Sequence, residues 1–388
     1  MDFAFKEEQR QLADAVRRWI GRDYGVEARR ATIASDGGTS DAAWATMAEL
    51  GLTALPLPAA HGGFDGDAVD MFVVMQELGR GLVVEPYFAT MLGARCLALG
   101  MAGQDAPAAG ALLERVAGGA LKLACAFGER QSRHDMRDVA TRAAPDGDGW
   151  VLTGTKTVVL HGAGAGVLLV SARTRGAQRD EDGITLFALP AGAPGVRTVA
   201  YRMLDGQRAA DVALDGVRVD AAGVVGRVHA GWPVLDAALD HGAGMLCAEA
   251  VGAMDALFAA TLDYLKTRQQ FGVPIGKFQA LQHRMADMYI HLEQARSMAL
   301  LAAMRLADPA IEPAARRGAV SAAKYRVGQA ARFVGQQAVQ LHGGIGVTDE
   351  LPAAHWFKRL STIELILGDA DHHMARFMAQ PGFAAEAA

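Results

Sequence analysis

Side chains able to do chemistry gather in one stretch, Gln340 to His373 (QLHGGIGVTDELPAAHWFKRLSTIELILGDADHH). Its helical segments break at Gly343-Gly344 and again at Gly368. A glycine inside a helix loses roughly 1 kcal/mol against alanine, and such breaks are kept where a ligand must lie against the main chain. The same glycines could form a Schellman-type helix end, and the two roles are compatible. Asp369 precedes Asp371-His-His-Met-Ala-Arg, the place of an N-cap carboxylate. His372 and His373 read as surface residues of that cap rather than as metal ligands. Glu249, inside an apolar run, is expected to pair with an arginine or lysine across a helix bundle. Cys96, Cys125 and Cys247 lack metal-ligand spacing and read as buried thiols of a reducing cytoplasm. No metal site is expected. His61 reads as a loop residue. His161-GAGAGVLL lacks the third glycine of a dinucleotide fingerprint and leads into no long helix, so it reads as a turn between strands.

The elements that must position these residues change period twice. Residues 2 to about 117 read as helices: Phe5, Leu12, Val16, Trp19 and Ile20 share one face, and Asp41 to Leu50 ends at Gly51. Ala68 to Leu78 and EPYFATMLGARCLALG follow as helices. From Leu121 come short β-rich segments divided by turns: LKLACAF, VATRAAP, GWVLTGTKTVVL, GVLLVSAR, ITLFALP and ADVALDGVRV. From Trp232 the helical period returns. Pro233–Arg268 is predicted as one helix of about 54 Å, followed by Phe278–Leu306, Ala314–Leu341 and a last segment from about Ala353, interrupted near Gly368. The fold class is therefore α+β: an N-terminal helical domain (1–117), a middle β-barrel or sandwich domain (118–225) and a C-terminal four-helix bundle (226–388).

Composition narrows the function. The chain has 388 residues, 51% hydrophobic and 21% charged, as for a well-buried globule. A formal charge of −5 argues against a nucleic-acid partner. No apolar run is read as reaching the roughly 18–20 residues of a membrane span. The start MDFAFKEEQRQL lacks the basic and apolar regions of a signal peptide, so a cytoplasmic location is expected.

Over essentially its whole length the chain resembles the acyl-CoA dehydrogenase family. The strongest block is DYLKTRQQFGVPIGKFQALQHRMADM, Asp263 to Met288. The resemblance implies that Arg268 reaches the pyrophosphate of FAD, where a guanidinium can fork onto phosphate oxygens, with Gln270 and Phe271 as further contacts. In QLHGGIG it implies that Gln340, Gly343 and Gly344 approach the adenosine half of FAD across a dimer interface. In the β domain it makes Phe127, Gly128 and Ser132 flavin or substrate neighbours. The family's stacking tryptophan and hydroxyl-bearing threonine fall on Val158 and Leu160. Arg133 and Arg173 are basic candidates for the CoA end.

The family reaction removes two hydrogens from an acyl-CoA thioester: a carboxylate takes the α-proton and the β-hydrogen leaves as hydride to flavin. The usual glutamate lies 27 positions after Gln340, on Leu367, and a minority position falls on Gly242. The arginine that usually follows is Ala243. Asp369 and Asp240 are the nearest carboxylates, and a slip at Gly368 would let Asp369 face the same cavity. The pattern resembles the degenerate partner of unlike-subunit members, in which one chain supplies the base and the flavin is shared. The implied function is FAD-dependent α,β-dehydrogenation of an acyl-CoA, autonomously or as a partner subunit, with electrons passed to an electron-transfer flavoprotein in a homo- or hetero-oligomer. A flavin oxidase or monooxygenase, or a non-catalytic scaffold subunit, is the alternative.

Overall fold

Each change of hydrophobic period along the chain becomes a change of architecture. The computed structural model describes residues 5–103 and 106–383. The N-terminal helices are α1 (Glu7–Asp23), α2 (Val26–Ala34), α3 (Asp41–Glu49), α4 (Ala68–Arg80), α5 (Tyr87–Met101) and α6 (Pro107–Ala117). The strands follow as β1 (Leu123–Ala126), β2 (Arg142–Asp146), β3 (Gly149–Leu160), β4 (Val167–Arg173), β5 (Ile184–Pro190), β6 (Val196–Arg202), β7 (Arg208–Val219) and β8 (Val224–Val225). Then come α7 (Trp232–Thr267), the short hairpin β9 (Gln269–Gln270) and β10 (Val273–Pro274), α8 (Gln279–Leu306), α9 (Pro313–His342), α10 (Pro352–Leu365) and α11 (Ala370–Met378). The architecture is the expected helical, β and helical-bundle succession.

The chain forms two compact units, one of Met1–Arg30, Asp67–Val83 and Ala243–Ala388, the other of Ala31–Gly66 and Val84–Gly242. The second holds an eight-stranded sheet in the order β6-β7-β3-β2-β4-β5-β8, with β1 parallel to β4. Leu152, Leu168, Val170, Phe187, Val212 and Leu214 fill its core. β6 is absent from the sequence-based strands. It is an edge strand exposed along most of its length, so no alternation of burial marks it.

In the first unit α9 packs against α8, α10 and α11. Proline at the first helical turn starts both α9 and α10, where a missing N–H costs nothing. Asp67 caps α4 by accepting from Val69 N and Asp70 N. α4 and α7 cross closely: a Cβ on Gly252 would lie 1.8 Å from Gln76 O, and one on Gly79 would lie 2.1 Å from Glu249 O. Only glycine permits that approach. Glu249 makes the expected cross-bundle pair. Arg359 Nε and Nη2 donate to its two oxygens at 2.6 and 2.7 Å, with both residues buried. One expectation is corrected: α7 is long and apolar enough to cross a membrane by length and composition alone, although most of its apolar window is buried inside the protein.

Candidate functional site

In the helical-bundle unit, the end of α7 meets the end of α9. Tyr264 stacks on His342 with centroids 4.5 Å apart, and its hydroxyl donates to His342 O at 3.3 Å. Arg268 follows Tyr264 by one helical turn, and Gln340 and Gly343 flank His342, so the stack brings the two segments to one locale. Among the described residues, the Arg268 guanidinium makes no hydrogen bond or ion pair, and it is exposed. Gln270 is exposed and donates to Gln269 O at 2.8 Å. Phe271, at the hairpin tip, is 91% exposed with φ 55°, and its ring meets that of Phe278 edge-on at 6.0 Å. Gln340 is exposed on the last turn of α9. Gly343 has φ 68°, and a Cβ on either Gly343 or Gly344 would meet nothing within 4 Å. The locale thus presents a free cation, an open aromatic ring and bare backbone.

The position expected for the base lies between α10 and α11. Leu367 adopts φ 57° and Gly368 φ 109°; left-handed backbone at leucine persists only where its surroundings hold it. Two buried side chains do so. The Lys324 ammonium donates to Ile363 O at 2.9 Å, Glu364 O at 3.1 Å and Gly368 O at 2.9 Å. His373 Nε2 lies 3.0 Å from Leu367 O; a carbonyl only accepts, so this nitrogen carries the proton. Burial pushes the Lys324 ammonium down to about 8, against the pull of Cys247, Glu364 and Asp369. Burial, with Lys324 beside it, drives His373 down to about 2, so the ring is neutral. His373 is therefore not the surface residue expected. It is buried because a Cβ-less Gly368 lets its ring approach within 2.8 Å of where that Cβ would sit. Asp369 caps α11, its Oδ1 accepting from His372 N at 2.8 Å. Among the described residues, no group of His, Cys, Asp and Glu could hold a metal.

In the sheet unit, Phe127 and Ser132 are buried on the segment after β1. The Ser132 hydroxyl donates to Glu129 O at 2.8 Å and accepts from Glu129 N at 3.0 Å, so it closes a local turn. Glu129 is the anchor of this loop. It accepts from Lys156 Nζ at 2.7 Å, Gln131 Nε2 at 2.8 Å, Ala140 N at 2.9 Å and Thr141 N at 3.1 Å. Burial works to raise its carboxyl, but Lys156 and these donors outweigh it and hold it below the ordinary value. Burial pushes Lys156 down to about 8 while Glu129 pulls back. Gly128 O accepts from Thr157 N at 2.9 Å, fastening the loop to β3. Arg173 is buried and donates to Asp180 O, Asp182 O, Arg137 O and Gln178 O. It braces a loop and is not available to a CoA phosphate. Gly162–Gly164 forms the expected turn between β3 and β4.

Sequence reading missed Lys324 and Lys156, and also Asp211, whose side chain accepts from Val158 N and the Tyr201 hydroxyl. The signal for the first two was there: a single lysine in an apolar helix face (Ser321-Ala-Ala-Lys324) or in a β-rich strand must find acceptors when buried.

The family models described as acyl-CoA dehydrogenase N-terminal, middle and C-terminal domains match residues 6–119, 124–217 and 229–380. The chain belongs to the acyl-CoA dehydrogenase family. It is 30% identical over 357 residues to acyl-CoA dehydrogenase FadE12 of Mycobacterium tuberculosis, covering 91% of this chain and 90% of that protein. Among solved structures it resembles a variant of the Tcur3481-Tcur3483 steroid ACAD, with TM-score 0.86, 30% identity and 98% of each chain covered. It also resembles the ChsE4-ChsE5 complex from Mycobacterium tuberculosis, with TM-score 0.85, 28% identity and 97% of each chain covered. Membership supports an oxidoreductase and a flavoprotein.

Proposed function

We propose that this chain is the base-lacking subunit of an unlike-subunit, FAD-dependent acyl-CoA dehydrogenase. Its partner supplies the α-proton acceptor, and electrons leave to an electron-transfer flavoprotein in the cytoplasm. The observation that carries the reading is the pair of side chains at the two base positions. Leu367 and Gly242 cannot take a proton, while the Asp369 carboxylate is turned toward its own helix as the N-cap. Two solved relatives are named as pairs of proteins, one of them a steroid enzyme, which supports an unlike pair and a ring-bearing acyl group.

The residues present fit FAD. Arg268 is an uncommitted, exposed guanidinium suited to a pyrophosphate. Phe271 offers an open ring, and Gln340 offers an amide. Gly343 and Gly344 leave the main chain uncovered, which suits a ligand lying against it. Phe127, Gly128 and Ser132 lie on a loop made rigid by Lys156 and Glu129, which suits orientation of the ring system. When bound, FAD supplies the hydride acceptor. In this reading Leu367 contributes an apolar wall that keeps water from the thioester, and its conformation is fixed by Lys324 and His373.

The test is the visible spectrum of the chain purified alone and after co-expression with a family member that retains the base-position glutamate. The reading predicts flavin colour with the partner, and bleaching when acyl-CoA is added without oxygen. A chain that is yellow alone and bleaches alone refutes the shared site.

A further inference from the structure

Val158 is unusual in two ways at once. It is β-branched yet has φ 54°, a conformation that is a real outlier for such a residue, and it is 54% exposed. The strand register gives the cause. On β7, Val212 pairs with Lys156 and Ala210 pairs with Val159, so Asp211 alone stands opposite both Thr157 and Val158. That is a β-bulge, two residues against one, and bulges re-aim a side chain beside functional sites.

One backbone residue cannot serve two. Thr157 N donates instead to Gly128 O at 2.9 Å, and Val158 N donates to the Asp211 side chain, at 3.2 Å from Oδ1. The same oxygen accepts from the Tyr201 hydroxyl at 3.3 Å. Tyr201 on β6 is paired with Ala209, which makes Asp211 its diagonal neighbour and within reach of a tyrosine. Burial, then Asp211, raises the Tyr201 phenol, so it stays a donor. Three strands thus converge on one carboxylate oxygen, and an apolar side chain is turned outward as a result.

We propose that Asp211 is the positioning residue of the flavin-facing surface: it holds the Thr157–Val158 bulge so that Val158 packs against the flavin ring. This rests on the flavin reading above. The bulge is tied through Thr157 to Gly128 and through Lys156 to Phe127 O and Glu129, so displacing it disturbs the whole Phe127–Ser132 segment. A bulge serving only to curve the sheet would not require an apolar residue to be held exposed at a left-handed position.

The variants are Asp211→Ala, which removes the acceptor, and Asp211→Asn, which keeps Oδ1. Hydrogen–deuterium exchange is read over Thr157–Leu160 in the flavin-free full chain, then flavin absorbance and FAD retention after loading, with the partner chain where required. Asp211→Ala is expected to exchange on the order of tenfold faster there, as loss of one hydrogen bond implies, to shift the flavin band and to retain FAD on the order of tenfold more weakly. Asp211→Asn should restore all three. Tyr201→Phe is the milder variant should Asp211→Ala fail to fold, with a band shift in the same direction. Unchanged exchange, or faster exchange with an unchanged band and unchanged retention, overturns the assignment. An unaltered chain that takes up no FAD, alone or partnered, refutes the flavin reading itself and the assignment with it.

Discussion

Replacing Lys324 by methionine removes a buried ammonium and leaves the oxygens of Ile363, Glu364 and Gly368 without their donor. At about 1–2 kcal/mol for each orphaned carbonyl, the loss is about 3–6 kcal/mol. Against it stands the relief of a buried charge. The ammonium is pushed from 10.5 to about 8, which at about 1.4 kcal/mol per pH unit amounts to roughly 3 kcal/mol. The net destabilisation at pH 7 is then about 0–3 kcal/mol. The sign of its pH dependence follows from linkage. Between about 8 and 10.5 the unfolded chain still holds a proton that the folded chain has lost, so the unaltered protein gains stability as pH rises through that window. The methionine variant has no such term. The gap between the two should widen by about 3 kcal/mol from pH 7 to the upper end of the window. Urea unfolding of both proteins at a series of pH values measures it. A gap that stays flat, or narrows, refutes the argument that Lys324 is charged and buried beneath the Leu367 turn.

Other perturbations test the remaining parts of the account. Arg359→Leu or Glu249→Leu alone should destabilise by about 3–5 kcal/mol, because each leaves a buried charge unpaired, whereas the double replacement should recover most of the loss; equilibrium unfolding of the four proteins closes the cycle. Gly252→Ala should cost about 1–3 kcal/mol, since its methyl would fall 1.8 Å from Gln76 O and force α4 and α7 apart; an unchanged unfolding midpoint would refute that packing. Leu367→Glu should give the flavin-loaded chain its own proton acceptor and raise its rate of anaerobic bleaching by acyl-CoA by about 10²–10⁴-fold. Stopped-flow absorbance reads that rate, and no increase would mean that position 367 does not face the substrate.

Much of the fold was legible because long helices declare themselves. The predicted Pro233–Arg268 helix runs from Trp232 to Thr267, and the DPAIEP loop separates α8 from α9 as expected. β6 was illegible because an edge strand open on both faces carries no burial pattern. Among candidate site residues, Arg268 and Gly343 were named through the family resemblance that their motifs carry. Their supports could not be. Lys324 finds its acceptors 39 to 44 positions away, and Asp211 reaches Val158 across strands 53 positions apart. His373 looked like a surface residue because nothing local shows that Gly368 opens a slot for its ring. Arg173 looked available because its acceptors, three carbonyls of the loop after β4 and the carbonyl of Arg137, have no sequence signature.

The central claim is that the proton acceptor lies outside this chain, and rapid anaerobic mixing of the flavin-loaded pair with acyl-CoA tests it most directly. Asp369→Asn in this chain should leave the rate of flavin bleaching unchanged. Glutamine in place of the partner's base-position glutamate should abolish it. Bleaching that survives the partner's change and vanishes with Asp369→Asn would contradict the account.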